Sequence, residues 1–207
     1  MTVFDHDPPR HESASLARMP WRRFIVLGGG AEGPGPARGS GDPGWADQVA
    51  EALRSVRPDL AYLNLGRHEL STAQVRAGQL ARALAFRGDL AAVVAGGREV
   101  VREPFDIDAV EAELNRIVGP LRSSGADVLT LGPCGPGLSA APAEEQRSGP
   151  RRRLRILAER TRDLALRHGA LYVDVPPRAG EAGGRSVAAA VIHRLVDHLD
   201  ATRNTRY

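Results

Sequence analysis

The chain has 207 residues, 42% of them hydrophobic, the proportions of one soluble globular domain with a real core. No apolar run approaches the ~20 residues needed to cross a bilayer, which excludes a membrane-spanning helix. The formal charge is +3, and all 28 basic residues are arginine, a compositional bias that makes a weak case for a nucleic-acid partner.

Residues 1–20 are polar, lack the basic start and apolar stretch of a secretory signal, and read as a disordered leader. Residues 23–27 (Arg-Phe-Ile-Val-Leu) read as a first strand, followed by a Gly/Pro-rich loop to Gly44. Val49, Leu53 and Val56 fall on one helical stripe, which predicts a helix from Trp45 to Val56, stopped by Pro58. Residues 60–63 read as a second strand. Ser71 is a natural N-cap for a helix bearing Val75, Leu80 and Leu84. Residues 90–94 form a third strand closed by Gly96 and Gly97.

The alternation continues with a helix over 107–121, a fourth strand over 127–131 and a Gly/Pro turn holding Cys134. A polar loop leads to a helix over 154–168, with Gly169 as its C-cap. The basic run Arg151, Arg152, Arg153 and Arg155 reads as the solvated start of that helix. A fifth strand over 171–175 and a last helix from about 186 to 199 complete the domain, residues 21–200, before a flexible tail over 201–207. Short apolar strands between helices predict a three-layer α/β/α sandwich with a five-stranded parallel sheet of flavodoxin-like order. In such sheets ligands bind outside the carboxyl ends of the strands.

Cys134 is the single cysteine; it excludes an intramolecular disulfide and fits a reducing, cytoplasmic setting. The six histidines, at 6, 11, 68, 168, 193 and 198, show no ligand spacing. No metal is expected from them. The triple glycine at 28–30 lacks both the GxGxxG spacing and the Lys-Ser/Thr of phosphate loops, so no nucleotide cofactor is implied.

Several short blocks resemble the SGNH/GDSL hydrolase family over roughly residues 22–198, above all its actinobacterial esterase and lipase-like branch. They are Leu27-Gly28 with Glu32-Gly33, Gly44-Trp45-Ala46, and Asn64-Leu65 with Gln74-Val75. Val94-Ala95-Gly96-Gly97 with Val100 and Pro104-Phe105-Asp106, Val173-Asp174, and His193-Arg194 in the last helix complete the set. The resemblance implies the family's sandwich fold and a cleft at the carboxyl edge. It also shows departures. The nucleophilic serine falls at Gly30, the acidic residue before it at Gly29, and the oxyanion-hole glycine at Glu69. The oxyanion-hole asparagine falls at Arg98, and the terminal aspartate and histidine fall near Gly184 and Val187.

A serine hydrolase needs an activated oxygen, a base and donors aimed at the oxyanion, and these positions supply neither oxygen nor base. Two readings follow. In one the chain is an enzyme without a serine nucleophile, acting on a small anionic or acyl-bearing metabolite, by analogy in a biosynthetic pathway. Glu69, His68 or Glu32 would then move a proton. Arg98 or Arg67 would hold the anion, since guanidinium forks a carboxylate or phosphate. The amides of Gly28, Gly29 and Gly30 would add donors, and Asn64, Gly97 and Cys134 would line the cleft. In the other reading the chain is a catalytically inactive binding or accessory protein, with Arg98 either holding a ligand or paired to Glu69 as a plug. Glu99 reads as a residue that caps or pairs on its loop.

Overall fold

Five short apolar runs pair into one sheet. The computed structural model describes residues 10–28, 43–67, 70–132, 149–175 and 179–204. The strands are β1 (Arg23–Gly28), β2 (Ala61–Asn64), β3 (Leu90–Val94), β4 (Asp127–Leu131) and β5 (Leu171–Val173). They lie in the order β2-β1-β3-β4-β5, and every pairing is parallel. The order reverses between β1 and β3, where Gly28 stands in register with Val94 at the carboxyl edge.

Alternation along each strand divides two cores. Phe24, Val26, Leu90, Ala92, Leu129 and Leu131 face one side. There they meet α1 (Arg10–Leu16), α2 (Trp45–Val56) and α7 (Ala179–Asn204) through Leu16, Val49, Leu53, Val191 and Leu195. Ile25, Leu27, Ala91, Val93 and Val128 face the other side. Against them pack α3 (Thr72–Phe86), α5 (Ile107–Ser123) and α6 (Pro150–His168) through Val75, Leu114, Ile117 and Leu164. This is the expected three-layer α/β/α sandwich with a flavodoxin-like parallel sheet. Strands covered on both faces carry no polar alternation, which is why they read as continuous apolar runs.

Local chemistry sets the helix ends. Ser71 and Gln74 form a reciprocal capping box at the start of α3. Asp106 accepts from the Ala109 amide at the start of α5. Gly169 ends α6 in the left-handed conformation.

Three expectations need correction. The segment read as a disordered leader holds α1, and Leu16 and Met19 are buried with Trp21 behind them. Ser15 Oγ donates to Asp200 at 2.9 Å, and Arg18 pairs with the same carboxylate, tying α1 to α7. Seven residues are too few to show a helical repeat in sequence, and tertiary burial supplies what local propensity does not. The last helix is longer than its apolar stripe, running from Ala179 to Asn204, so residues 201–204 continue a helix rather than begin a tail. The basic run is not uniformly solvated. Arg153 Nη1 donates to the carbonyls of Val100 (3.2 Å) and Arg102 (3.1 Å). Its guanidinium also pairs with Glu103 and lies over Phe105. Arg152 and Arg155 are the exposed members.

Candidate functional site

The carboxyl edge between β1 and β3 is where the strand order turns, the place an open α/β sheet leaves a crevice. Gly28 ends β1 there. A Cβ at this residue would stand 2.4 Å from the Val94 carbonyl oxygen, so only glycine lets the two strands stay paired to their last residue. Gln79, buried on α3, grips it. Gln79 Oε1 accepts from the Gly28 amide at 2.9 Å, and Gln79 Nε2 donates to the Gly28 carbonyl at 3.1 Å. The amide expected to serve an anion is therefore engaged inside the fold.

The chain leaving β2 stays alongside β1. Leu65 N–H donates to Val26 and Arg67 N–H donates to the Gly28 carbonyl. Asn64 turns its side-chain oxygen back to the Gly66 amide at 2.9 Å, which fixes the bend and occupies one of that oxygen's two acceptor sites. Arg67 is exposed at the rim. Behind Asn64, burial and then the bond to Asp47 push the Tyr62 phenol well above its ordinary range.

β3 leads through Gly96 into α4 (Gly97–Val100). Gly96 has φ +96, and a Cβ there would meet the Leu157 methyls at 2.8 Å, so both backbone and packing demand glycine. The turn places Gly97 at the start of α4 and Arg98 half-buried within it. Arg98 forms no ion pair among the described residues. Glu99 reaches the start of α3, where its Oε1 accepts from the Thr72 amide at 2.6 Å. That is the capping role read from its loop position, and a carboxylate at a helix N-terminus is favourable. Because α3 follows β2 and α4 follows β3, this bond joins the connections on either side of β1.

Of the other residues proposed from sequence, Glu32, His68, Glu69, Gly29, Gly30 and Cys134 lie outside the described residues. The facing of Arg98 and Glu69 is among the points that fall there. Val187, near which the sequence resemblance puts the family's histidine, is 2% exposed within the core. The described histidines serve elsewhere. His168 bonds Asn115 between α5 and α6. His198 stacks on Trp21 near Asp127. His193 is an exposed residue of α7 near Glu12 and Asp197. Among the described residues no group of three or more His, Cys, Asp or Glu is placed to hold a metal. No helix among them is long and apolar enough to cross a membrane.

Sequence reasoning passed over Gln79 and Thr72. The signal was present: buried Thr72, Val75, Gln79 and Ala83 share one face of α3, so a polar side chain on an apolar stripe marks an internal bond.

The model of the GDSL-like lipase/acylhydrolase family matches residues 27–198. The chain belongs to this family. No curated protein sequence matches it. Among solved structures, an acetylxylan esterase from Geobacillus stearothermophilus is similar with a TM-score of 0.68 at 16% identity. That match covers 84% of this chain and 94% of the esterase. An α/β hydrolase enzyme from the metagenome of Lake Arreo, Spain, is similar with a TM-score of 0.66 at 14% identity, over the same shares of the two chains. At such identities the likeness is one of fold. Catalytic mutants of the acetylxylan esterase, with a serine, an aspartate or a histidine changed to alanine, are among the similar structures. For this GDSL-like chain, the fold locates the cleft, and its own residues must supply any chemistry there.

Proposed function

We propose that this GDSL-like protein binds a small anionic or acyl-bearing ligand at the carboxyl edge of its sheet and does not hydrolyse esters through a serine. The observation supporting this is Val187, an apolar core residue near which the sequence resemblance puts the family's base, with Gly30 at its nucleophile position. Neither can act in acyl transfer. Arg98 is the anchor, a guanidinium without an ion pair among the described residues on the turn after β3. Its fork suits a carboxylate or phosphate. Arg67 adds charge at the rim.

A second reading keeps turnover without serine, with water attacking an acyl group under His68, Glu69 or Glu32. The bond from the Arg67 amide to the Gly28 carbonyl favours it, because it holds the residue that precedes His68 in sequence at the end of β1.

The experiment combines binding and labelling. Acetate and phosphate are titrated by NMR against wild type and Arg98→Ala. p-Nitrophenyl acetate hydrolysis is followed in wild type and Cys134→Ala, and a serine-directed fluorophosphonate is applied with mass-spectrometric readout. We expect anion binding lost in Arg98→Ala, hydrolysis no greater than thiol background, and no labelled serine. Hydrolysis abolished by stoichiometric labelling of one serine overturns the proposal. Hydrolysis that survives labelling and Cys134→Ala, but falls in His68→Ala or Glu69→Ala, selects the second reading.

A further inference from the structure

Among the described residues, Thr72 and Glu99 leave two buried oxygens without partners where α4 meets the start of α3, on the connections that flank β1. Thr72 is 1% exposed, and its Oγ1 makes no hydrogen bond. Glu99 spends Oε1 on the Thr72 amide at 2.6 Å, while its Oε2 is buried and unbonded. A buried polar atom left unpaired is destabilising, the more so on a charged group. The Thr72 amide alone would have been served by one carboxylate oxygen or by an ordinary Asn, Ser or Asp cap. A threonine hydroxyl and a carboxylate oxygen that no described residue satisfies are an unfavourable way to build a helix end. They are an economical way to receive a group that donates hydrogen bonds.

We propose that Glu99 Oε2 and Thr72 Oγ1 form a receptor for an ammonium or hydroxyl group of the cleft ligand. This rests on the reading of Arg98 as anion anchor. Arg98 and Glu99 are adjacent on α4, so a single short turn presents one cationic and one anionic recognition group. The ligand class is then an acid carrying an amino or hydroxyl substituent close to its carboxylate. Glu99 is a binding residue in this scheme, and its anchoring to α3 keeps it from collapsing onto Arg98.

The test uses acetate, glycolate and glycine, which share a carboxylate and differ only in a hydrogen, hydroxyl or ammonium on the next carbon. Affinities are measured by NMR titration on the full chain. Wild type is expected to bind glycine or glycolate about tenfold to a hundredfold more tightly than acetate, the ratio of one charge-assisted hydrogen bond. Thr72→Val and Glu99→Gln are expected to erase that preference, read within each variant as the ratio of glycine or glycolate affinity to acetate affinity. Thr72→Ser is expected to restore it. The variants also carry a structural readout. Thr72→Val loses no bond within the fold, so its thermal midpoint stays level or rises, and Glu99→Gln keeps an oxygen for the Thr72 amide. Acetate bound as well as the other two, or a preference that survives both variants, overturns the proposal and assigns the two oxygens to an internal water only. Failure of all three acids, acetate included, overturns the anion-anchor reading and this inference with it.

Discussion

Gln79 holds Gly28 by both of its backbone polar groups, at 2.9 and 3.1 Å, deep between α3 and the end of β1. The Gly28 carbonyl has a second donor in the Arg67 amide, whereas its N–H has Gln79 alone among the described residues. Gln79→Leu keeps the shape and orphans one buried N–H. It is expected to cost about 1–3 kcal/mol in urea denaturation, with the midpoint lowered and the slope unchanged.

Gly28→Ala tests the neighbouring constraint. The added methyl meets a backbone oxygen of β3 at 2.4 Å, which no rotamer change relieves. Overpacking of this kind costs about 1–3 kcal/mol. Hydrogen exchange should locate the damage at the β1 and β3 ends, with β4 and β5 retaining protection.

Truncation separates the two parts of the N-terminal segment. Removing residues 1–9 is expected to leave stability unchanged. Removing residues 1–20 strips Leu16 and Met19 from the core at about 1.5–3 kcal/mol each. A lowered thermal midpoint in the longer deletion alone is the expected result.

Glu113 gives the acid limb of stability a defined contributor. Hydrogen bonding to Arg76, aided by Arg116, holds its carboxyl below its ordinary value of 4.5. The folded state therefore favours the charged form. The stabilisation is full above the ordinary value and is lost as pH falls through the lowered one. Glu113→Gln should be less stable than wild type at neutral pH and converge with it in acid, read as denaturation midpoints against pH.

Tyr62 acts at the opposite end. Burial and the bond to Asp47 raise its phenol pKa, so the fold favours the neutral ring. This contribution is full below the ordinary phenol value of ~10 and is lost as pH rises above it, when only the unfolded chain ionises. The phenolate absorbance that Tyr62→Phe removes should appear only on alkaline unfolding.

The fold was legible because its sheet is covered on both faces. Residues 23–27, 90–94 and 127–131 announce themselves as apolar runs between helical stripes, and the structure places β1, β3 and β4 there. Elements lacking such a pattern were missed. α4 has four residues, and the first seven residues of α7 are mostly Ala and Gly without periodicity. At the site, Glu99 was readable as a cap because a loop carboxylate suits the N-terminus of a neighbouring helix. Gln79 was not, since its partner is backbone and backbone leaves no trace in sequence. The oxygens of Thr72 and Glu99 show themselves only by lacking a partner, a property of three-dimensional packing.

The clasp of Ser15 and Arg18 on Asp200 has a practical consequence for handling the protein. It lies near the end of α7, on the side where Trp21 and Asp127 open their strands, away from Gly28, Arg98 and Glu99. The end of α7 at Asn204 therefore lies on the side away from the rim, while α1 starts further back along α7, where Glu12 lies near His193. A label placed on the exposed face near Asp200 would report on the joining of α1 to α7 without touching that rim.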